Sequence, residues 1–585
     1  MADNREKLFV IAIGGTGMRC LESFVHLCAI GMFDNREINI LTLDTDSNNG
    51  NKSKVQRLIN EYYNRIRRDG DKESEPQANT FFSAKLNFYE FTTNYEATDR
   101  QTYSKLATVG SLKNEADKKK NQALMDLFLD SNVQNFNLEH GYRAQTHLGS
   151  MLMYNGIVEA AKVCRIKGDD ATSQQKALGK YLDALSEANS QQNGRLFVFG
   201  SVFGGTGASS IPIIPKALQE AVKAKSAQQT ASLDFNNIKV GAALLTQYFK
   251  FAPVNSSALQ NEKIIADSEN FALNSQAALQ FYVSDSTVKS TYKRLYHVGW
   301  PFDRVFYGKE NKVATGGDTQ KNACHVAELM CACAAYDFFS LNRDDLSQDS
   351  ASYMFKSIKC DVPAGNSNSN EKIYEFNPEF FMGSSGDLFR RKLGAFTSLA
   401  LLVLGHQAAS NKQIAQYPQE LVGMTFFTKS KEGGKPIFTD PDLNYGDLNN
   451  DIDALEAVDE YLREFGYSYE GAEFKSGWLF QIDDSIKSAP GTFFINPQCF
   501  IRENVDIVNP KVDMGEVFTD VTHNFYQEKN MWGGKRKDSN YKKSHEIFEK
   551  KLKDPNNKPR ANQLATTLLE KLIAHLYNAL MASQN

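Results

Sequence analysis

No two cysteines of this 585-residue chain stand at CxxC spacing. The eight are scattered at positions 20, 28, 164, 324, 331, 333, 360 and 499. A dithiol motif is therefore absent, and most of these thiols read as buried core groups. Charge of one sign is lacking too: 66 Lys and Arg face 70 Asp and Glu, a net of −4, which argues against general nucleic-acid binding. The longest apolar stretch, Leu393–Leu404, is too short to span a bilayer and reads as a core helix. The start, MADNREKLF, is polar and runs straight into a strand, so no signal peptide is expected. His140 and His147 have no partner at metal-ligand spacing, and no low-complexity tract interrupts the chain. Together these absences predict a cytoplasmic protein. At this length one ordinary core is not enough, and two domains with insertions are expected.

Against that background two short stretches stand out because they repeat one design. Residues 8–24, LFVIAIGGTGMRCLESF, read as a strand, a glycine turn and a helix; residues 196–220 read the same way around Gly204-Gly205-Thr206-Gly207. Such a turn aims free backbone N–H groups and a helix N-terminus at an anion, and glycine lets the chain approach it closely. Thr206, Ser209 and Ser210 add hydroxyls. A ligand-free turn between strand and helix is the plainer alternative for either stretch alone. The first turn is not a Walker loop, since no Gly-Lys-Ser/Thr closes it, and Arg19 and Cys20 stand where a dinucleotide fingerprint needs a third glycine. Between the two turns, Ile38–Leu43 is a strand ending in Asp44-Thr45-Asp46, where an acid of a Rossmann-type unit meets ribose hydroxyls.

This set resembles the tubulin/FtsZ superfamily of GTPases. Phe203–Ser209 is similar to its signature loop GGGTGxG, with Phe203 and Ser209 in place of the outer glycines; Gly14–Arg19 resembles its first phosphate loop, and Leu43–Asn48 its NTDxQ segment. The resemblance spans roughly the first 350 residues and describes a divergent prokaryotic-type member. It implies a Rossmann-like GTPase domain, a central helix and a smaller α+β second domain. The nucleotide, GTP with Mg²⁺, would be held by Gly14, Gly15, Thr16, Gly17, Arg19, Asp44 and Asp46, and by Gly204, Gly205, Thr206, Gly207, Ala208 and Ser209. Arg143, ahead of a helix where the family has its γ-phosphate loop, would neutralise phosphate charge; a surface arginine is the other reading. Asn311, Asp318 and Asn322 lie near where family members bond guanine, though helix capping also explains each. A long helix is predicted from about Asp318 to Phe339. It ends in Asn342-x-Asp344, which matches the family's catalytic loop that reaches the nucleotide of the next subunit; capping of the helix end competes with that reading.

The expected organisation is a nucleotide-binding domain over 1–345, with a solvated insertion at about 69–137, a second α+β domain over 346–530, and a basic linker with an amphipathic helix over 531–585. In the second domain YEFNPEFFMG, GMTFFTKS and GWLFQIDD look strand-like, and Leu388–His406 and Asn449–Phe465 helical. The basic tail is either a solvated linker or a docking patch for an acidic partner or membrane surface. The function expected is GTP-dependent head-to-tail self-assembly with hydrolysis at the subunit contact. A non-polymerising nucleotide-binding adaptor is the alternative, and a Rossmann oxidoreductase a third reading that leaves the second glycine turn unexplained.

Overall fold

In the computed structural model the residues described are 6–93 except 47, 70 and 71; 115–135 except 130; and 146–250 except 227–230. They continue with 268–361 except 302–305, 308–319 and 321; 373–410; 424–425; 435–436; 440–486 except 441, 451, 471 and 472; and 550–582. Largely apolar runs, most of seven or eight residues, fold into one parallel sheet. Its strands are β1 (Lys7–Ile13), β2 (Glu37–Asp44), β3 (Lys85–Thr92), β4 (Gly194–Ser201), β5 (Ile238–Leu245), β6 (Tyr292–Val298) and the shorter β7 (Ser352–Lys356). The order across the sheet is β7-β6-β5-β4-β1-β2-β3, every neighbour parallel. Alternate side chains of β1 serve opposite faces, Leu8, Val10 and Ala12 on one and Phe9, Ile11 and Ile13 on the other. Both faces must then be covered, and both are.

On the first face lie α1 (Gly14–Ala29) and α2 (Gly50–Arg57); on the second, α3 (Thr146–Lys167), α4 (Ser173–Ser190) and α6 (Ile214–Lys225), the last preceded by the single turn α5 (Thr206–Ser210). The first face also receives α7 (Val326–Ser340), which is buried nearly all round. Such a helix belongs inside a structure. It starts at Val326, later than the sequence pattern predicts, because His325 and Glu328 form a capping box: His325 Nδ1 accepts from Ala327 N at 3.1 Å, and Glu328 accepts from His325 N at 2.9 Å.

Over α1 and α7 four further described helices pack into the same apolar core: α8 (Ser385–Ser410), α9 (Ile452–Phe465), α10 (Trp478–Ile486) and α11 (Leu568–Ala582). The stretch GWLFQIDD is helical (α10), not a strand: Trp478, Leu479 and Ile482 recur at helical spacing and are fully buried, with Trp478 Nε1 donating to Ser23 Oγ at 2.9 Å. In YEFNPEFFMG a short strand, Ile373–Glu375, gives way to a helical turn at Pro378. The amphipathic C-terminal helix packs on the body, where Leu572, Leu576 and Leu580 are buried and Glu570 pairs with Arg67 at 2.7 Å. The stretch 69–137, read as a solvated insertion, supplies β3. Phe306–Tyr307 pairs only with Phe249–Lys250, outside the main sheet. Among the described residues no helix is long and apolar enough to cross a membrane.

Candidate functional site

The sheet order 3-2-1-4-5-6 reverses direction between β1 and β4. In open parallel sheets a ligand binds outside the carboxyl ends of the strands at this reversal, where the two flanking loops part to opposite faces. Both glycine turns emerge there, one from β1 and one from β4. They touch: Gly14 has φ +66°, and a Cβ on it would lie 3.2 Å from Cβ of Thr206. Gly17 is required for packing, since a Cβ there would meet the carbonyl oxygen of Phe199 at 2.8 Å; at Gly207 it would meet that of Ser201 at 2.5 Å.

Neither helix that starts here is capped by a side chain. Ile13 is the N-cap of α1 and Gly205 that of α5. An apolar residue cannot satisfy the first-turn N–H groups of α1, so a buried helix end is left with donors to offer. Gly205 has φ −75°, an ordinary right-handed conformation that any residue adopts.

The β2 end adds acids. Asp44 is buried; its carboxylate accepts from Thr45 N at 2.8 Å, Asp46 N at 3.3 Å and Asn49 Nδ2 at 3.1 Å. Burial, followed by the neighbouring Asp46 charge, pushes the Asp44 carboxyl up to about 6 despite those hydrogen bonds. Asp46 Oδ1 accepts from Asn48 N. Asn49 caps α2 through Asn51 N at 2.9 Å, and its Nδ2 lies 3.2 Å from where a Gly15 Cβ would be. Gln320 Oε1, from the segment before α7, lies 3.1 Å from the same point. Nearby, Lys52 is buried against Glu90 at 2.8 Å and Thr92 Oγ1 at 3.3 Å. Among the described residues no group of three or more His, Cys, Asp or Glu side chains could hold a metal ion.

Two residues expected at the ligand are engaged elsewhere. Arg19 forms a buried ion pair with Glu328 at 2.6 Å, donates to the carbonyl of Ala323 and lies over the ring of Tyr248. Burial works against its charge, and Glu328 together with Tyr248, Cys324 and Glu22 more than offsets that. It ties α1 to α7 instead of facing a phosphate. Ser209 is buried with its hydroxyl donating to the Thr206 carbonyl at 3.0 Å, while its own carbonyl accepts from Ser150 at 2.6 Å. Ser210 is likewise fully buried, and the Ala208 carbonyl accepts from Tyr282. Thr16 and Thr206 are half-buried. Phe203, in place of the first signature glycine, packs with Tyr248, Phe249 and Phe271. Asn322 is half-buried in the extended segment between Gln320 and α7, outside the helix. Arg143, Asn311 and Asp318 lie outside the described residues.

Asn342 and Asp344 are exposed at the other end of the sheet. Between them Arg343 reaches the carbonyls of Gly194 and Asn237 and pairs with Glu6 at 3.1 Å, residues at or just before the starts of β4, β5 and β1. Eight-residue strands separate this loop from the glycine turns, a distance of about 25 Å. A cavity of about 540 Å³ opens beside it, lined by Arg36, Arg195, Arg343 and Lys392 together with Glu6 and Asp34. Residue pattern alone predicted neither this cavity nor the amide cluster at Gly15, which draws on three segments distant in sequence.

No protein-family model, curated protein or solved structure matches this chain.

Proposed function

We propose that the chain is a tubulin/FtsZ-type nucleotide-binding protein that takes GTP at the paired glycine turns and assembles head to tail. The observation that carries this reading is the arrangement along the strand axis: glycine turns at the carboxyl end, Asn342-x-Asp344 at the amino end, α7 running between. Within one chain the two sites are too far apart to act on one ligand. Stacked head to tail, the exposed Asp344 of one copy would orient water at the nucleotide of the next, while uncapped N–H groups of α1 stabilise the phosphate charge. The four bases against two acids in the neighbouring cavity suit a surface that presents phosphate.

Fit of the nucleotide rests on the uncapped helix starts and the glycine space. Fit of Mg²⁺ rests on Asp46 and Asp44, whose crowded charges a divalent cation relieves; when bound it would neutralise phosphate charge beside them. In the experiment that tests the proposal, GTP hydrolysis per subunit should rise with protein concentration, and filaments should appear in negative stain with GTP. Asp344→Ala should keep GTP binding and lose about 10²–10⁴-fold in hydrolysis. Hydrolysis by monomers at a concentration-independent rate, unaffected by Asp344→Ala, refutes the shared site.

The non-polymerising adaptor is favoured by one observation. Phe203 fills with an aromatic ring a place that the family pattern leaves to glycine. For that reading nucleotide binds, and the protein stays monomeric with GTP, GDP or neither.

A further inference from the structure

Two buried polar atoms of the β2–α2 segment have no hydrogen-bond partner among the described residues: Oγ1 of Thr45 and Nδ2 of Asn51. Asn51 is 3 % exposed. Its backbone N–H is used by the Asn49 cap, so the residue is fixed while its amide end is not bonded. That Nδ2 lies 3.4 Å from where a Gly15 Cβ would stand, beside the Asn49 amide and Gln320 Oε1. A glycine at 15 therefore keeps open the point on which three amide side chains converge. Folding that leaves a buried donor without an acceptor is costly unless something else supplies the acceptor.

We propose that Asn51 is a ligand-binding donor, held ready by the α2 cap to bond an oxygen of the phosphate chain above Gly14–Thr16. The inference rests on the nucleotide reading of the glycine turns and goes beyond it, since Asn51 stands outside every glycine motif. The chemistry selects the ligand atom. Asn51 Nδ2, the hydroxyls of Thr16 and Thr206 and the first-turn N–H groups of α1 are all able to donate, so the matching partner is an oxygen-rich acceptor. Asn49 positions Asn51: its Nδ2 donates one hydrogen to Asp44, and its Oδ1 accepts from Asn51 N.

Asn51→Leu keeps the volume and removes the donor. In calorimetry with GTP and GDP, each with Mg²⁺, it should weaken binding about 10- to 100-fold, the worth of a hydrogen bond to a charged acceptor. The ligand-free variant should melt at the same temperature as wild type or a few degrees higher, since an unsatisfied group has gone. Lost affinity together with an undiminished melting temperature separates a ligand donor from a structural amide. Asn51→Asp keeps the shape and exchanges the donor for an acceptor; it should lose at least as much affinity, and it decides the matter should the leucine variant fail to fold. Wild-type binding with unchanged affinity in Asn51→Leu or, where that variant does not fold, in Asn51→Asp overturns the inference and leaves the nucleotide reading standing. A wild type that binds neither GTP, GDP nor pyrophosphate overturns both.

Discussion

Removing the Arg19 guanidinium tests whether it serves the fold or the ligand. Arg19→Met keeps the stem and deletes the charge, stranding Glu328 at 0 % exposure with only Tyr248 OH, at 2.6 Å, and His325 N, at 2.9 Å, as donors. Breaking a buried pair from one side costs about 3–5 kcal/mol, because the remaining charge is uncompensated. Glu328→Gln on that background restores neutrality while retaining the capping box, which accepts Gln as readily as Glu. The double variant should therefore recover most of the loss. Burial already pushes the Glu328 carboxyl above its ordinary value, and removing Arg19 pushes it further. The folded form then holds its proton more tightly than the unfolded form. Stability gained that way is present at low pH and lost as pH rises through the folded-state value, so the deficit of Arg19→Met should shrink from pH 7 to pH 5. Thermal melts read all three: a fall of about 2–4 °C for the single variant, partial recovery for the double, and convergence on acidification. If Arg19→Met melts like wild type and loses nucleotide affinity, the ion pair is not what Arg19 is for.

Asp44 has a folded-state value near 6, so the folded protein binds its proton more tightly and stability should decline as pH rises from about 4 to 6, by about 3 kcal/mol in full; Asp44→Asn should flatten that part of the profile in denaturant titrations. Omitting Mg²⁺ should weaken GTP binding more at pH 8 than at pH 5.5, measured by calorimetry, because only the ionised Asp44 needs the cation. Gly14→Ala should cost about 1–2 kcal/mol through its positive φ and should also displace Thr206, detected as a lowered melting temperature with nucleotide binding lost. Deleting α11 should expose its apolar face and strand Arg67, giving a sharp rise in sensitivity to limited proteolysis.

Much of the sheet was legible because its central strands are largely apolar runs, Leu8–Ile13, Ile38–Leu43 and Leu196–Phe199. The glycine turns were legible for a similar local reason. What hid β3 was its place at the sheet edge, where Lys85, Asn87 and Glu90 are only partly covered and the segment reads as polar. β6 was hidden by Lys293 and Arg294, whose charges find Gln348 and Asp337. The start of α7 was misplaced because its cap is a histidine. His325 works as an acceptor only when neutral, and burial, then Arg19, holds it down to about 3, a condition that no local pattern announces. The Arg19–Glu328 pair was not legible because its two members lie some 300 residues apart.

The capping arrangement has a consequence for how the two ends of the sheet are related. The Arg19–Glu328 pair and the His325 cap fasten the start of α7 beside the first glycine turn, and Arg343 fastens the loop beyond its end to the starts of β1, β4 and β5. Fifteen helical residues, about 22 Å of rod, join the two. With both ends pinned and its surface buried, α7 cannot tilt without breaking a buried ion pair or opening the core. α7 therefore holds Gly14–Arg19 and the Asn342-x-Asp344 loop in a fixed spatial relation. On the head-to-tail reading this couples the occupied end of one subunit to the contact it makes with the next.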